Sequence, residues 1–278
     1  MRLGPGGRSP NLEDRRGSRM APLGIGGAVV MLILSLIFGP DILSNPGGTT
    51  TESSYGEVSP SDSAREEPQV QFVSQVLDDV QETWARAFAG AGASYRPAKL
   101  VLFRDGTMSG CGAAQSAMGP FYCPIDEKVY LDLGFFDDLE RRFRAPGDFA
   151  RAYVIAHELG HHTQHLQGID TRVRDAQRAN PDVANQLSVR LELQADCYAG
   201  VWAHSAADRG KLETGDIEEG LAAASAVGDD RIQRRTTGSV NVDSFTHGSA
   251  QQRTEWFNRG YQTGRSSSCD TFNPGLSS

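Results

Sequence analysis

The chain has 278 residues, of which 38% are hydrophobic and 22% are charged. This composition is typical of a globular protein that can bury a core, and the length allows one large domain with additional segments. The net charge is −8 and the body of the chain contains no cluster of Lys and Arg, so we expect no nucleic-acid partner.

An uncharged apolar stretch follows a short polar segment near the N-terminus. Residues 1–20 carry five arginines and two acidic residues, whereas residues 20–40, "MAPLGIGGAVVMLILSLIFGP", carry no charge. About 20 apolar residues cross a bilayer, and a buried core helix would show a polar stripe that is missing here. A cleaved signal peptide is the other alternative, but no clear cleavage site follows the stretch. We therefore predict a transmembrane helix at 21–40, a cytoplasmic segment at 1–20, and the rest of the chain outside the cytoplasm as a single-pass cell-membrane protein.

Residues 41–68 are rich in Ser, Thr, Gly, Pro and Glu and lack hydrophobic periodicity. This composition predicts a flexible linker. The folded domain is accordingly expected at 69–278, with its first core helix beginning near Val70.

Helix and strand patterns alternate through the first half of this domain. Apolar residues between Val70 and Phe88 have helical spacing, and Gly90 is a stop signal. "KLVLF" predicts a buried strand, and "PFYCP" with "KVYLDL" predicts a hairpin or two consecutive strands. "GFFDDLERRF" predicts a short helix.

The second half is helical. A helix capped by Asp148 and ended by Gly168 is followed by one that starts at Asn180–Pro181. Two shorter helices are predicted over "DIEEGLAAASAVG" and "SAQQRTEWFNRGYQ". Without regular βαβ alternation, these elements predict an α+β fold that is mostly helical with a small sheet.

The four cysteines are even in number, which in an exported domain favours two disulfides. Cys111 and Cys123 flank a Gly/Ala-rich loop, so we pair them and leave Cys197 with Cys269. Free buried thiols are the alternative.

The helix capped by Asp148 carries the segment "YVIAHELGHH". His157 and His161 are four residues apart, which places the two imidazoles on one face, about 6 Å apart along the axis, where they can bind one tetrahedral zinc. Glu158 borders this face, too offset to bind the metal but able to reach a zinc-bound water as the general base of an H-E-x-x-H site. His162 and His165 extend the cluster as bystanders, polar residues at its rim.

A catalytic zinc needs a third protein ligand and an open fourth position. A metzincin would have glycine at 164 and histidine at 167, where this chain has Gln164 and Gln167, so that class is excluded. The later segment "LELQAD" supplies Glu192 and Asp196 on an otherwise apolar helix, where unpaired carboxylates are costly. We predict that Glu192 binds the zinc and that Asp196 accepts a hydrogen bond from a ligand histidine. A solvated helix face is the alternative.

Two histidines lie outside both segments. His247, in "FTHGSAQQR", precedes a helix that Ser249 can cap, and it has two interpretations: it stabilises a transition state near the zinc, or it is structural. His204 is predicted to be structural.

These motifs together resemble those of a known family. "HELGHH", then "LELQADCYAG" and "THGSAQQR", with "RSPNLEDRRG" near the N-terminus and "GCG…GPFYCP…VYLD" between, are similar to the bacterial putative neutral zinc metallopeptidase family over most of the chain. The E-x-x-x-D pattern and the later Thr-His are more distantly similar to gluzincin peptidases. The resemblance implies a zincin-like fold and a peptidase site, and it implies no particular substrate.

The sequence thus predicts a membrane-anchored zinc metallopeptidase, of the endopeptidase kind, with one Zn²⁺ per chain. It would hydrolyse peptide bonds of a peptide or protein substrate with a zinc-activated water and Glu158 as general base. Extended substrate would pair with an edge strand formed from residues 109–132. A zinc-stabilised binding or assembly module at the cell surface, without turnover, is the alternative from another class, although it has no use for Glu158. The third alternative is that the helix with the H-E-x-x-H pattern binds no metal.

Overall fold

The structure is a computed structural model that describes residues 1–4, 6–17 and 60–273. The predicted transmembrane helix at 21–40 lies outside these residues. Within the described part of the chain, no helix is both long and apolar enough to cross a membrane.

The described residues form an α+β fold, as predicted. The helices are α1 Pro60–Gly90, α2 Gly134–Arg141, α3 Asp148–Leu166, α4 Ile169–Ala179, α5 Ala184–Asp208, α6 Asp216–Ala226, α7 Asp229–Thr236 and α8 Ala250–Thr263. The strands are β1 Leu12–Asp14, β2 Lys99–Phe103, β3 Gly106–Ser109, β4 Gly112–Gln115, β5 Phe121–Cys123 and β6 Lys128–Asp132.

Four strands form one sheet in the order β1-β2-β6-β5. Two of the three pairings, β1 with β2 and β2 with β6, are parallel, and β5 runs antiparallel to β6. β3 and β4 form a separate antiparallel hairpin. β5 is therefore an edge strand of the main sheet, and it reaches this position through the predicted hairpin with β6.

The helices pack around α3, which is buried along most of its length. The apolar residues that predicted α1 are all buried in the core: Val70, Val73, Val76, Leu77, Val80, Trp84 and Phe88. α5 and α8 pack closely because each has a glycine at the contact. A Cβ on Gly200 would lie 2.0 Å from the carbonyl oxygen of Phe257, and one on Gly260 would lie 2.0 Å from that of Cys197.

The structure differs from the sequence prediction at the start of the domain. β1 comes from the segment expected to lie apart at 1–20, and it pairs with β2 so that Leu12 lies opposite Leu100. α1 begins at Pro60, inside the stretch expected to be a linker and ahead of Val70. Hydrophobic periodicity reveals neither element, because the first turns of α1 are polar and β1 is only three residues long.

The helical half also differs in detail. Asp148 is the first residue of α3 and not its cap, since Gly147 occupies that position, and the left-handed Gly168 follows the end of the helix. α5 begins at Ala184, after a 3₁₀ turn at Pro181–Val183. α4 and α7 were not predicted, because each is short and has few apolar residues.

Both predicted disulfides are present. Cys111 is bonded to Cys123, which ties the start of β4 to β5. Cys197 is bonded to Cys269, which ties α5 to the 3₁₀ turn that follows α8. No cysteine remains as the free thiol that the alternative required.

Candidate metal centre

Three side chains from α3 and α5 converge on one point. Nε2 of His157 lies 3.2 Å from Oε2 of Glu192, and Nε2 of His161 lies 3.4 Å from Oε1 of the same carboxylate. One donor atom from each of the three residues lies within 4.8 Å of the others. Two imidazole nitrogens and one carboxylate are the donors of many catalytic zinc sites, and they leave a fourth position open.

Close approach of the two helices brings these donors together. Gly160 lies on α3 between the two histidines, and a Cβ at this position would lie 3.1 Å from the carbonyl oxygen of Ala195 on α5. A larger residue would push α5 outwards and carry Glu192 away from the histidines. Gly160 in "HELGHH" thus has a packing function, whereas its neighbours His157 and His161 supply candidate metal donors.

Asp196 fixes the orientation of the first histidine. Its Oδ1 lies 2.8 Å from Nδ1 of His157, in the role that the sequence predicts, and its side chain is fully buried. Because a carboxylate accepts, Nδ1 donates its proton to Asp196, and Nε2 is the nitrogen that faces Glu192 and can bind a metal once its own proton is lost.

Arg253 on α8 compensates the buried charge of Asp196. It donates to both carboxylate oxygens, over 2.8 and 2.9 Å, and Tyr153 donates its hydroxyl to the same group. Burial alone would raise the pKa of Asp196, but Arg253 and His157 lower it, so the group is ionised. The sequence prediction missed both Arg253 and Tyr153. Neither has a local signal, since Arg253 and Tyr153 lie 57 and 43 residues from Asp196 in the chain.

Gln164 fixes the second histidine. Its Oε1 accepts from Nδ1 of His161 at 2.8 Å, while its amide nitrogen donates to the carbonyl of Leu191 at 2.7 Å. The sequence analysis used Gln164 only to exclude a metzincin. Its spacing of three residues from His161 on one helix is the signal that would have revealed this contact.

The charges around the three donors attract a cation. Burial alone would lower the pKa of His157, but Asp196 and Glu192 raise it to about 10. Burial also raises the pKa of Glu158, against the lowering effect of His157 and His161. Glu158 lines the same cleft and is 8% exposed, so its carboxylate is a stronger base than one in open water. The donor set and its charge therefore fit zinc.

Comparison with known proteins identifies the family. The model of a family described as "Putative neutral zinc metallopeptidase" matches residues 1–272. The chain belongs to this metallopeptidase family. The Escherichia coli K12 protein YpfJ is 46% identical over 279 residues, which cover 95% of this chain and 96% of YpfJ. The Mycobacterium bovis protein Mb2605 is 46% identical over 206 residues, which cover 70% and 68%. Both relatives carry the description "uncharacterized", and no solved structure matches the chain.

In this member of the metallopeptidase family, His247 forms part of the cleft wall. Its Nδ1 lies 3.2 Å from Oδ1 of Asp229, the first residue of α7. The other oxygen of Asp229 accepts the backbone N–H groups of Thr246, His247 and Gly248. The loop is thereby held so that the imidazole borders the cleft without joining the three metal donors. Asp229 was missed because its partners lie 17 to 19 residues away.

The remaining histidines of this family member lie away from the three donors. The expectation that His162 is a rim residue was wrong, because it is completely buried. Its Nε2–H donates to the carbonyl of Arg96 at 2.6 Å, so its Nδ1 accepts the hydroxyl of Tyr122 at 3.0 Å. His165 is paired with a neighbouring aspartate, and His204 with a backbone carbonyl of α8, which agrees with a structural role.

The candidate metal centre opens into a cleft of about 620 Å³. β5 lies along one side, where Tyr122 ties it to α3 through His162. Much of the lining is apolar and aromatic: Met118, Pro120, Phe121, Phe135, Phe143, Val154, Leu191 and Ile232. The cleft is therefore open to a ligand much larger than a water molecule and offers it an apolar surface.

Proposed function

We propose that this protein is a gluzincin-type zinc endopeptidase with a zincin-like fold. The observation that carries the proposal is the convergence of His157, His161 and Glu192 on one point, with Glu158 beside them in an open cleft. A structural zinc site is closed by four protein ligands and needs no adjacent base. An open cleft with a buried carboxylate is what peptide hydrolysis requires.

Each residue then has a separate task. The residues that would hold one zinc ion are His157, His161 and Glu192. A zinc ion bound there would lower the pKa of its water to about 7 and polarise the scissile carbonyl. Glu158 takes the proton from the attacking water and gives it to the leaving amine. Asp196 keeps the proton of His157 on Nδ1, so that Nε2 faces the metal position.

The substrate would bind as an extended strand. β5 is an edge strand and borders the cleft, so its free backbone groups can pair with a peptide. Of the residues 109–132, which were expected to supply the strand that pairs with the substrate, we thus propose Phe121–Cys123. The apolar lining supports a peptide with large apolar side chains near the cut bond.

We also propose that the apolar stretch at 20–40 attaches the enzyme to the cell membrane. The two disulfides support an oxidising location outside the cytoplasm for the folded domain.

The test is Glu158→Gln in the full-length protein. Glutamine keeps the shape but cannot take a proton, so zinc should stay bound at one ion per chain while hydrolysis of a peptide library falls by about 10²-fold or more. Glu255→Gln, on the exposed face of α8, is the matched control and should leave both properties unchanged.

Glu192→Gln distinguishes the loss of zinc binding from the loss of the general base. It should lower zinc occupancy together with hydrolysis, whereas Glu158→Gln lowers hydrolysis alone. A wild-type protein that binds zinc but cleaves no peptide would refute the enzyme and favour the zinc-stabilised binding module. Full hydrolysis by Glu158→Gln would refute the general base.

A further inference from the structure

The N-terminal segment is built into the folded domain. Besides the pairing of β1 with β2, the backbone N–H of Leu100 donates to the carbonyl of Asn11 at 2.9 Å, and that of Arg15 donates to Leu102 at 2.8 Å. The side chains of Met1 and Leu3 pack against the main core. We propose that residues 1–4 and 6–17 are a structural part of the peptidase domain and lie on the same side of the membrane as the metal centre.

Backbone pairing supports this because β2 needs a neighbour. Leu100, Val101, Leu102 and Phe103 are completely buried. Without β1, the backbone groups on one edge of this apolar strand would be unpaired, and such an edge pairs readily with other chains. The N-terminal segment closes that edge.

A buried ion pair ties the segment to α1. Arg16 is 4% exposed, and it donates to Glu66 at 2.7 Å and to both oxygens of Asp14 at 2.8 and 2.7 Å. On the same side of α1, Arg8 pairs with Glu67, and Ser9 donates to Asp78 at 2.5 Å. A buried guanidinium is tolerated only where such partners satisfy it.

These contacts change the meaning of the N-terminal arginines. Five arginines before the apolar stretch predict a cytoplasmic N-terminus only if they act as free positive charges. In the structure four of them are paired with carboxylates of the domain or of the segment itself: Arg2 with Glu213, Arg8 with Glu67, Arg15 with Glu13, and Arg16 with Glu66 and Asp14. The charge pattern is therefore explained by folding, and it no longer requires the opposite side of the membrane.

The docked N-terminal segment is incompatible with a single membrane crossing by residues 20–40. Arg16 and Glu66 lie on either side of the apolar stretch in the sequence, yet their side chains are 2.7 Å apart. The hydrocarbon core of a bilayer is about 30 Å thick. A single crossing by residues 20–40 would place these two residues on opposite faces and break every contact described above. Our proposal therefore replaces the expected cytoplasmic location for residues 6–17.

Two cysteine variants of the full-length chain test the sidedness. Gly7 and Gly90 are both exposed, and an added Cβ at either meets nothing within 4 Å. Intact cells that express Gly7→Cys or Gly90→Cys are treated with a membrane-impermeant maleimide, and lysed cells give the total. We expect the same labelled fraction for both variants. Labelling of Gly90→Cys alone in intact cells, with Gly7→Cys labelled only after lysis, would overturn the proposal.

Charge reversal tests the contact itself. In the full-length chain, Arg16→Glu and Glu66→Arg should each lower the unfolding temperature, and the double variant should lose less than the two single losses combined. Arg86→Glu, on the exposed side of α1, is the control and should have little effect. An Arg16→Glu protein as stable as wild type, or two losses that simply add in the double variant, would show that the segment is not docked.

Discussion

The hydrogen bonds of Asp196 make a sharp prediction for Asp196→Asn. The substitution keeps the size of the side chain and removes its charge, while Arg253 stays 3% exposed in the core. The guanidinium loses its counter-charge, and His157 loses the carboxylate that holds its Nδ1 proton. One change therefore perturbs both folding and metal binding.

The expected size follows from the contacts. Arg253 donates two hydrogen bonds to Asp196, over 2.8 and 2.9 Å, and neither group is open to water. Removing one partner of such a buried pair costs about 3–5 kcal/mol in the free energy of unfolding. Loss of a carboxylate that orients a metal-binding histidine typically weakens metal affinity by about 10–100-fold. The lost negative charge acts in the same direction.

Urea unfolding of the metal-free protein and zinc titration against a chelator measure the two effects. Asp208→Asn is the matched control, since it lies on the same helix with a side chain that is 72% exposed. Adding Arg253→Met to Asp196→Asn should restore part of the stability, because the uncompensated charge is removed. If Asp196→Asn unfolds at the wild-type urea concentration and binds zinc equally well, the buried pair does not support the metal centre.

Three further predictions test other parts of the structure. Gly200→Ala should lower the free energy of unfolding by at least about 1–3 kcal/mol, because its Cβ would overlap a backbone oxygen of α8, whereas Gly90→Ala should not; equal urea midpoints would contradict this packing. Burial raises the pKa of Asp79, but hydrogen bonds from a neighbouring arginine and lysine lower it below the usual range. Its stabilising effect is thus present above a pH of about 4 and is lost as the pH falls through the lowered pKa, so Asp79→Asn should differ from wild type at pH 7 and less in acid; a constant difference would argue against the ion pair. Tyr122→Phe leaves Nδ1 of His162 unpaired and should speed amide hydrogen exchange in β5, and unchanged exchange would mean that this contact does not hold the edge strand.

The parts of the fold that could be predicted from the sequence are those set by local periodicity. The apolar residues from Val70 to Phe88 repeat at helical spacing, so most of α1 could be predicted. The four-residue spacing of His157 and His161 places both side chains on one face of any helix. Glu192 could be predicted because a carboxylate on an apolar helix needs a partner.

The parts of the structure that the sequence did not predict depend on contacts between residues that are distant in the chain. Arg253 has no local pattern that connects it with Asp196, 57 residues earlier. β1 has the sequence "LED", which carries no strand signal, and it becomes a strand only because β2 has an edge to cover. His162 looked like a rim residue for the same reason, since its burial depends on Tyr122 and Arg96 from other elements. Patterns along the chain predicted the three side chains that converge better than they predicted the groups that support them.

The position of Arg253 has a consequence for the order of events during synthesis. A chain emerges from the ribosome N-terminus first, and Arg253 follows His157 by 96 residues. The histidines and both carboxylates are therefore made well before the cation that neutralises Asp196, and the Cys197–Cys269 bond that secures the end of α8 can form only later still. The growing chain carries the candidate metal donors for a long interval without the support that orders them, so the finished site appears only after Cys269 has been made.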